Sequence, residues 1–324
     1  MHGSISYVNK EIPRAASMEG STMLGVGITP EGINQNYVVY EYALEKAWHH
    51  HENNPKKWLK LYAQARYGFE SRDIEQAWML LLKSVYAYAG DVTIHGKYTI
   101  CRRPSLKIQP LKWYDEKLVK KALKSFIAVT LNDTLTFNEM FRHDLIDLSR
   151  QFMQNQGDSL YLQIVDAYKK KNIFDLMKLR ASFNGLLQDL DFLLGSHQDF
   201  MLGRFLESAK AVASNDDERK IFEYNARNQI TIWGPSAQIN DYATKQWNGI
   251  VGDYYLPRWK FFFAVLIKSV QEKTSFNQKR FQEDVFKLVE LPFNFDNKSY
   301  PTTPKGNPVE LARKMFKTWS KIND

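Results

Sequence analysis

The sequence predicts a mostly α-helical fold, and three observations carry that expectation. Capped amphipathic segments follow one another from residue 54 onward, the stretch from 137 to 213 contains no proline, and strand-like alternation is confined to Leu24, Val26 and Ile28. A single strand has no sheet to complete, so either residues 24 to 28 are not a strand or their neighbours lie outside this chain.

The elements follow in order. After the alternating run comes Thr29-Pro30-Glu31-Gly32-Ile33-Asn34-Gln35-Asn36, then an apolar helix through residue 48. Asn54 caps the next helix with Pro55 at its first position, and Trp58, Leu61, Tyr62 and Ala65 form its expected inner face before Gly68 ends it. Ser71 opens a helix carrying Ile74, Ala77, Trp78, Leu81, Leu82 and Val85. Asp115 opens another, with Leu118, Val119, Ala122, Leu123 and Phe126 at helical spacing. In the proline-free region Leu176, Phe183, Leu187, Leu190 and Leu194 draw a narrow stripe suited to long packed helices. Further helices are predicted at 216 to 229, 239 to 252, 256 to 272, 278 to 289 and 307 to 321.

At 324 residues the chain is long enough to bury a large core as one domain or two. A formal charge of +8 attracts anions without naming one, whether nucleic acid, acidic membrane or sulfated glycan. One cysteine, Cys101, excludes an intrachain disulfide framework and cysteine-rich zinc sites. Met1 to Lys10 lacks the pattern of a signal peptide, and the apolar run Phe261 to Ile267, closed by Lys260 and Lys268, is too short to span a bilayer. A soluble chain is expected.

Glu31, set where an apolar run stops and a helix starts and flanked by Pro30 and Gly32, stands where parallel α/β barrels place catalytic groups. The alternative is a carboxylate that merely favours the positive end of the helix dipole, with Asn34 and Asn36 as caps. Further on, the break Trp233-Gly234-Pro235 ends a helix and pushes an indole onto an interhelical loop, followed by Ile239, Asn240, Asp241 and Tyr242. Trp233 and Tyr242 are thus candidate stacking contacts for a sugar or base, or else plugs of a helix junction. Lys117, Lys120, Lys121 and Lys124 fall on a solvated helix face, and Arg102-Arg103-Pro104 is a better anion site. His49-His50-His51 resembles a metal-binding tract but lies at a helix end without metal-ligand spacing, so no metal is expected. Asn132 and Asn297 begin formal glycosylation sequons.

Several segments in order resemble glycoside hydrolase family 89, the retaining exo-α-N-acetylglucosaminidases. They include GITPEGINQNYVVYEYALEKAW (27 to 48), AWMLLLKSVY (77 to 86), RRPSL (102 to 106), DLIDLSRQ (144 to 151), DFMLGRFLE (199 to 207), NARNQITIWGP (225 to 235) and DYATKQWNGIVGDYYLPRW (241 to 259). The resemblance implies that residues 1 to 52 are the last β/α unit of a truncated (β/α)8 catalytic barrel and that residues 53 to 324 form an all-α C-terminal domain. It further implies that Glu31 is the nucleophile, that Trp233, Ile239 and Tyr242 contact the sugar, and that no cofactor is needed. Its substrate would be a heparan-sulfate-type glycan ending in α-linked N-acetylglucosamine, with no nucleic acid or membrane partner, in a lysosomal or secreted enzyme. The family's acid/base glutamate has no counterpart in this sequence. The competing reading is a basic helical module that binds polyanions without catalysis.

Overall fold

The computed structural model describes residues 1–30, 36–49, 51–88, 98–110, 112–132, 135, 137–237 and 239–322. The chain divides into two compact units, Met1–Gly96 with Leu111–Phe152, and Lys97–Pro110 with Met153–Asp324. Both are helical, and the described residues contain no strand, only the isolated bridges Ser4↔Ala87 and Met201↔Asn248.

In the first unit, α1 (Ile5–Ala16) is capped by Ser4, whose Oγ accepts from Tyr7 N–H. No sequence expectation marked this helix. Residues 24 to 28, which the sequence allows as a strand only with neighbours outside this chain, carry no ladder here, and Leu24 is fully exposed. Alternation alone does not make a strand when no neighbour supplies the hydrogen bonds.

Next come α2 (Tyr37–Glu45), α3 (Pro55–Tyr67), α4 (Arg72–Leu82) and α5 (Glu116–Val129). The predicted caps are in place: Asn54 accepts from the N–H groups of Lys56 and Lys57, Ser71 from Ile74 and Asp115 from Lys117. Gly68 ends α3 at φ 77°, a left-handed geometry that costs glycine little. The buried face of α3 differs from the expected one: Leu59, Tyr62, Ala63 and Tyr67 are inside, whereas Leu61 is 55% exposed. Two stripes share Tyr62, and buried polar contacts select between them. Asp144, on α6 (Glu139–Lys169), accepts from Arg66 at 2.6 and 2.9 Å and from Tyr67 Oη at 2.7 Å. Asn9 does the same for α1: its Oδ1 accepts from Tyr42 Oη, Lys46 Nζ and Asn53 N–H at 2.6, 2.7 and 3.1 Å.

The second unit contains α7 (Ile173–Leu194), α8 (Leu202–Lys210), α9 (Asp216–Gln229), α10 (Leu256–Gln271), α11 (Gln278–Val285), α12 (Leu291–Phe295) and α13 (Pro308–Trp319). The predicted stripe of α7 is wholly buried, and Phe183 packs on Trp259 and Phe263 of α10 with ring centroids 4.6 and 5.5 Å apart. π turns lead into α10 (Val251–Tyr255) and α12 (Phe286–Glu290).

The helix predicted at 239 to 252 does not form over most of its length. Residues 239 to 249 are turns and loop, with Asp241 and Thr244 at φ 61° and 44°, and helix resumes only at Ile250. Side-chain commitments made by Asp241, described next, override the local pattern. No helix among the described residues is long and apolar enough to cross a membrane.

Candidate functional site

Helix α9 stops because its end is tied back on itself. Trp233 N–H donates to Asn228 O at 2.8 Å and Gly234 N–H to Asn228 Oδ1 at 2.6 Å, while Thr231 Oγ1 donates to Arg227 O at 2.6 Å. Trp233 itself adopts φ 41° and Gly234 φ 120°, so the chain reverses at the predicted Trp-Gly-Pro break. The excursion closes where Asp241 N–H donates to Thr231 O at 3.0 Å.

Trp233 and Tyr242 are brought together by this closure, edge to face, with centroids 5.4 Å apart and ring planes at 81°. Both rings are half-buried, and Ile239 between them in sequence is 48% exposed. The loop therefore presents two aromatic rings and an apolar branch, a surface chemistry suited to the C–H faces of a sugar. Glu31, Asn34 and His50 lie outside the described residues. Asn36 takes the cap position of α2, yet its side chain makes no cap bond and instead donates to His2 O. His49 lies 3.9 Å from Glu45 at the end of α2, as a helix-end histidine would.

Holding the loop costs energy. Four non-glycine residues, Trp233, Ala237, Asp241 and Thr244, have left-handed backbones, each unfavourable by roughly 1–2 kcal/mol. The compensating contacts lie beneath. Arg258 of α10, fully buried, donates to Asp241 Oδ1 at 2.7 Å, to Glu290 Oε1 at 3.0 Å and to Cys101 O at 2.7 Å. Arg103 pairs with Glu290 through both its Nε and Nη2, and its backbone N–H donates to Asp241 Oδ2 at 2.6 Å. Burial alone would pull the Arg258 guanidinium down, but Asp241 and Glu290 hold it well above its ordinary range.

Sequence reasoning missed this network. Glu290 follows a helix rich in surface charge whereas Arg258 opens an apolar one, and no spacing marks them as partners. The only legible trace was Arg258 beside Pro257, Trp259 and a run of buried aromatics.

Similarity to known proteins is extensive. The family model of the alpha-N-acetylglucosaminidase (NAGLU) C-terminal domain matches residues 58–318, and the model of its tim-barrel domain matches residues 1–50. The chain is 37% identical to the human protein "Alpha-N-acetylglucosaminidase" over 322 residues, covering 98% of this chain and 42% of the relative. A family 89 glycoside hydrolase from Clostridium perfringens, solved with PUGNAc, superposes on the whole chain with TM-score 0.87 at 25% identity, the match spanning 38% of that structure. A form of the same enzyme with two Glu→Gln substitutions, in complex with its substrate GlcNAc-alpha-1,4-galactose, gives TM-score 0.88 and 26% identity over the same share. The chain thus spans about two fifths of the length of the relatives it resembles.

Proposed function

We infer the function from one premise: the chain belongs to the alpha-N-acetylglucosaminidase family, glycoside hydrolase family 89, with which it aligns over nearly its whole length. On that premise residues 1 to 52 contribute the end of the catalytic barrel and residues 53 to 324 the helical domain. The activity assigned is hydrolysis, with retention, of a terminal α-linked N-acetylglucosamine from a heparan-sulfate-type glycan. The same reading places the complete enzyme in the lysosome or outside the cell, where the exposed Asn132 and Asn297 would be accessible to glycosylation.

Chemically, Glu31 acts as the nucleophile. Its carboxylate attacks the anomeric carbon as the bond to the leaving oxygen breaks, and a second carboxyl about 5 Å away donates the proton to that oxygen. Water, deprotonated by the same second group, then releases the sugar from Glu31. Trp233 and Tyr242 seat the pyranose, with Ile239 against its edge. The observation that carries this role is the edge-to-face pair of half-buried rings on a strained loop.

No residue of this chain is assigned the acid/base role, which is worth roughly 10²- to 10⁴-fold. The 324 residues alone are therefore expected to turn over an aryl α-N-acetylglucosaminide negligibly while binding N-acetylglucosamine. Saturable binding of the sugar, lost in Trp233→Ala, supports the reading. Turnover near that of a complete family enzyme, or sugar binding indifferent to Trp233→Ala, refutes it.

A further inference from the structure

We propose that the cavity walled by Asn240 and Asp241 is an anion site, which takes a carboxylate or sulfate carried by the sugar that follows the terminal N-acetylglucosamine. The proposal rests on the glycan reading above for its sugar, but on charge and geometry for its anion.

The cavity measures about 300 Å³ and is lined by Arg102, Arg103, Ser105, Lys107, Asn240 and Asp241, with Gln282 at its wall. Its charges do not balance. The two buried carboxylates, Asp241 and Glu290, are matched by two guanidinium groups, Arg258 and Arg103. Both carboxylates are consumed by those bonds, which leaves Arg102 and Lys107 in excess. Among the described residues neither has a carboxylate within salt-bridge distance, and Arg102 makes only a long 3.4 Å bond to Gln109 O. A neutral ion-paired base under two uncompensated cations attracts an anion. The Gln282 amide and the Ser105 hydroxyl offer further donors, while Asn240 directs its Nδ2 at Glu290.

Position links this cavity to the aromatic loop. Asn240 and Asp241 lie between Ile239 and Tyr242 in the chain, so the Cα atoms of Asn240 and Tyr242 are at most about 7 Å apart. Asn240 and Asp241, which wall the cavity, also lead directly into Tyr242, so on this proposal the sugar that follows one seated against Tyr242 and Trp233 meets Arg102 and Lys107. The ion-paired base also explains the preference for acidic over neutral groups: Asp241 is occupied by Arg258 and does not repel them.

The test titrates the 324-residue chain and its Arg102→Ser/Lys107→Ser variant by calorimetry at low ionic strength. The titrants are sodium sulfate, neutral GlcNAc-α-1,4-galactose, its galactose 6-sulfate, and GlcNAc-α-1,4-glucuronate. The expected result is at least tenfold tighter binding of one or both anionic disaccharides over the neutral one, an advantage abolished in the variant and competed away by sulfate. Which disaccharide gains the advantage tells sulfate from carboxylate. An equal advantage in wild type and variant, or none in wild type, overturns the proposal. Sulfate bound through Arg102 and Lys107 while no disaccharide binds defeats the glycan reading; sulfate bound equally by both proteins defeats the cavity itself.

Discussion

Arg258 and Glu290 meet with Nη1 and Oε1 3.0 Å apart, and neither side chain exposes any surface. This pair stands beneath the aromatic loop and reaches it through Asp241. Removing one member strands the others: Glu290→Gln leaves two guanidinium groups sharing a single full carboxylate. The expected loss for breaking such a buried pair is about 3–5 kcal/mol. Urea unfolding of Glu290→Gln and Arg258→Met checks it, and a loss below about 1 kcal/mol would show the pair to be dispensable. Arg258→Met combined with Glu290→Leu should cost less than the two single changes added together, because opposite charges leave together and the remaining Asp241 and Arg103 still balance.

The left-handed backbone of Trp233, at φ 41°, separates the indole's binding role from its conformational cost. Trp233→Ala and Trp233→Gly both delete the ring that packs on Tyr242, so both should lose N-acetylglucosamine binding alike. Their stabilities should differ, because glycine accepts positive φ where alanine does not. Trp233→Gly is expected to be about 1 kcal/mol more stable than Trp233→Ala. Equal melting temperatures would argue that the loop relaxes once the indole is gone.

Gly203, in α8, has no room for a side chain. A Cβ built there would lie 2.6 Å from Tyr300 O and closer still to Pro301 O, both backbone atoms that cannot rotate away. Gly203→Ala is therefore expected to cost about 3 kcal/mol, at the upper end for overpacking, despite the usual gain from placing alanine in a helix. Denaturant titration decides the matter, and a stability change within about 0.5 kcal/mol of wild type would mean that the 300–301 segment moves freely off α8.

These residues show what was legible and what was not. Caps were readable because they depend on a few adjacent positions: Asn54 with Pro55, Ser71 and Asp115 each cap as their neighbours predict. The α7 stripe was readable because Leu176 to Leu194 repeats one face over several turns. The Trp-Gly-Pro break put Trp233 on a loop for the same local reason. Helix 239 to 252 was misread because Asp241 answers to Arg258, seventeen residues on, rather than to its own turn. Nor does any local pattern say that Glu290 lies inside: its helix has the composition of a surface helix, and only the fold brings Arg103 to it from 187 residues away.

A last consequence concerns pH. Asp191 sits on α7, where its Oδ1 accepts from the N–H groups of Gly249 and Gly252 at 2.8 Å each and its Oδ2 from Asn248 Nδ2 at 3.0 Å. It therefore pins the backbone just past the aromatic loop. Burial pushes its carboxyl up to about 6, against the opposing pull of the Gly249 and Gly252 N–H groups. In the unfolded chain the same group titrates near about 3.9. Between about pH 4 and 6 the folded state thus binds more protons than the unfolded state, so this group makes stability fall as pH rises through that window and leaves it flat above. Asp191→Asn keeps an Oδ1 acceptor for both glycines but cannot titrate. Its stability relative to wild type should improve progressively from pH 4 to pH 6 and then level off. Chemical denaturation at several pH values measures this difference directly, and a constant offset across the window would remove Asp191 as the titrating group.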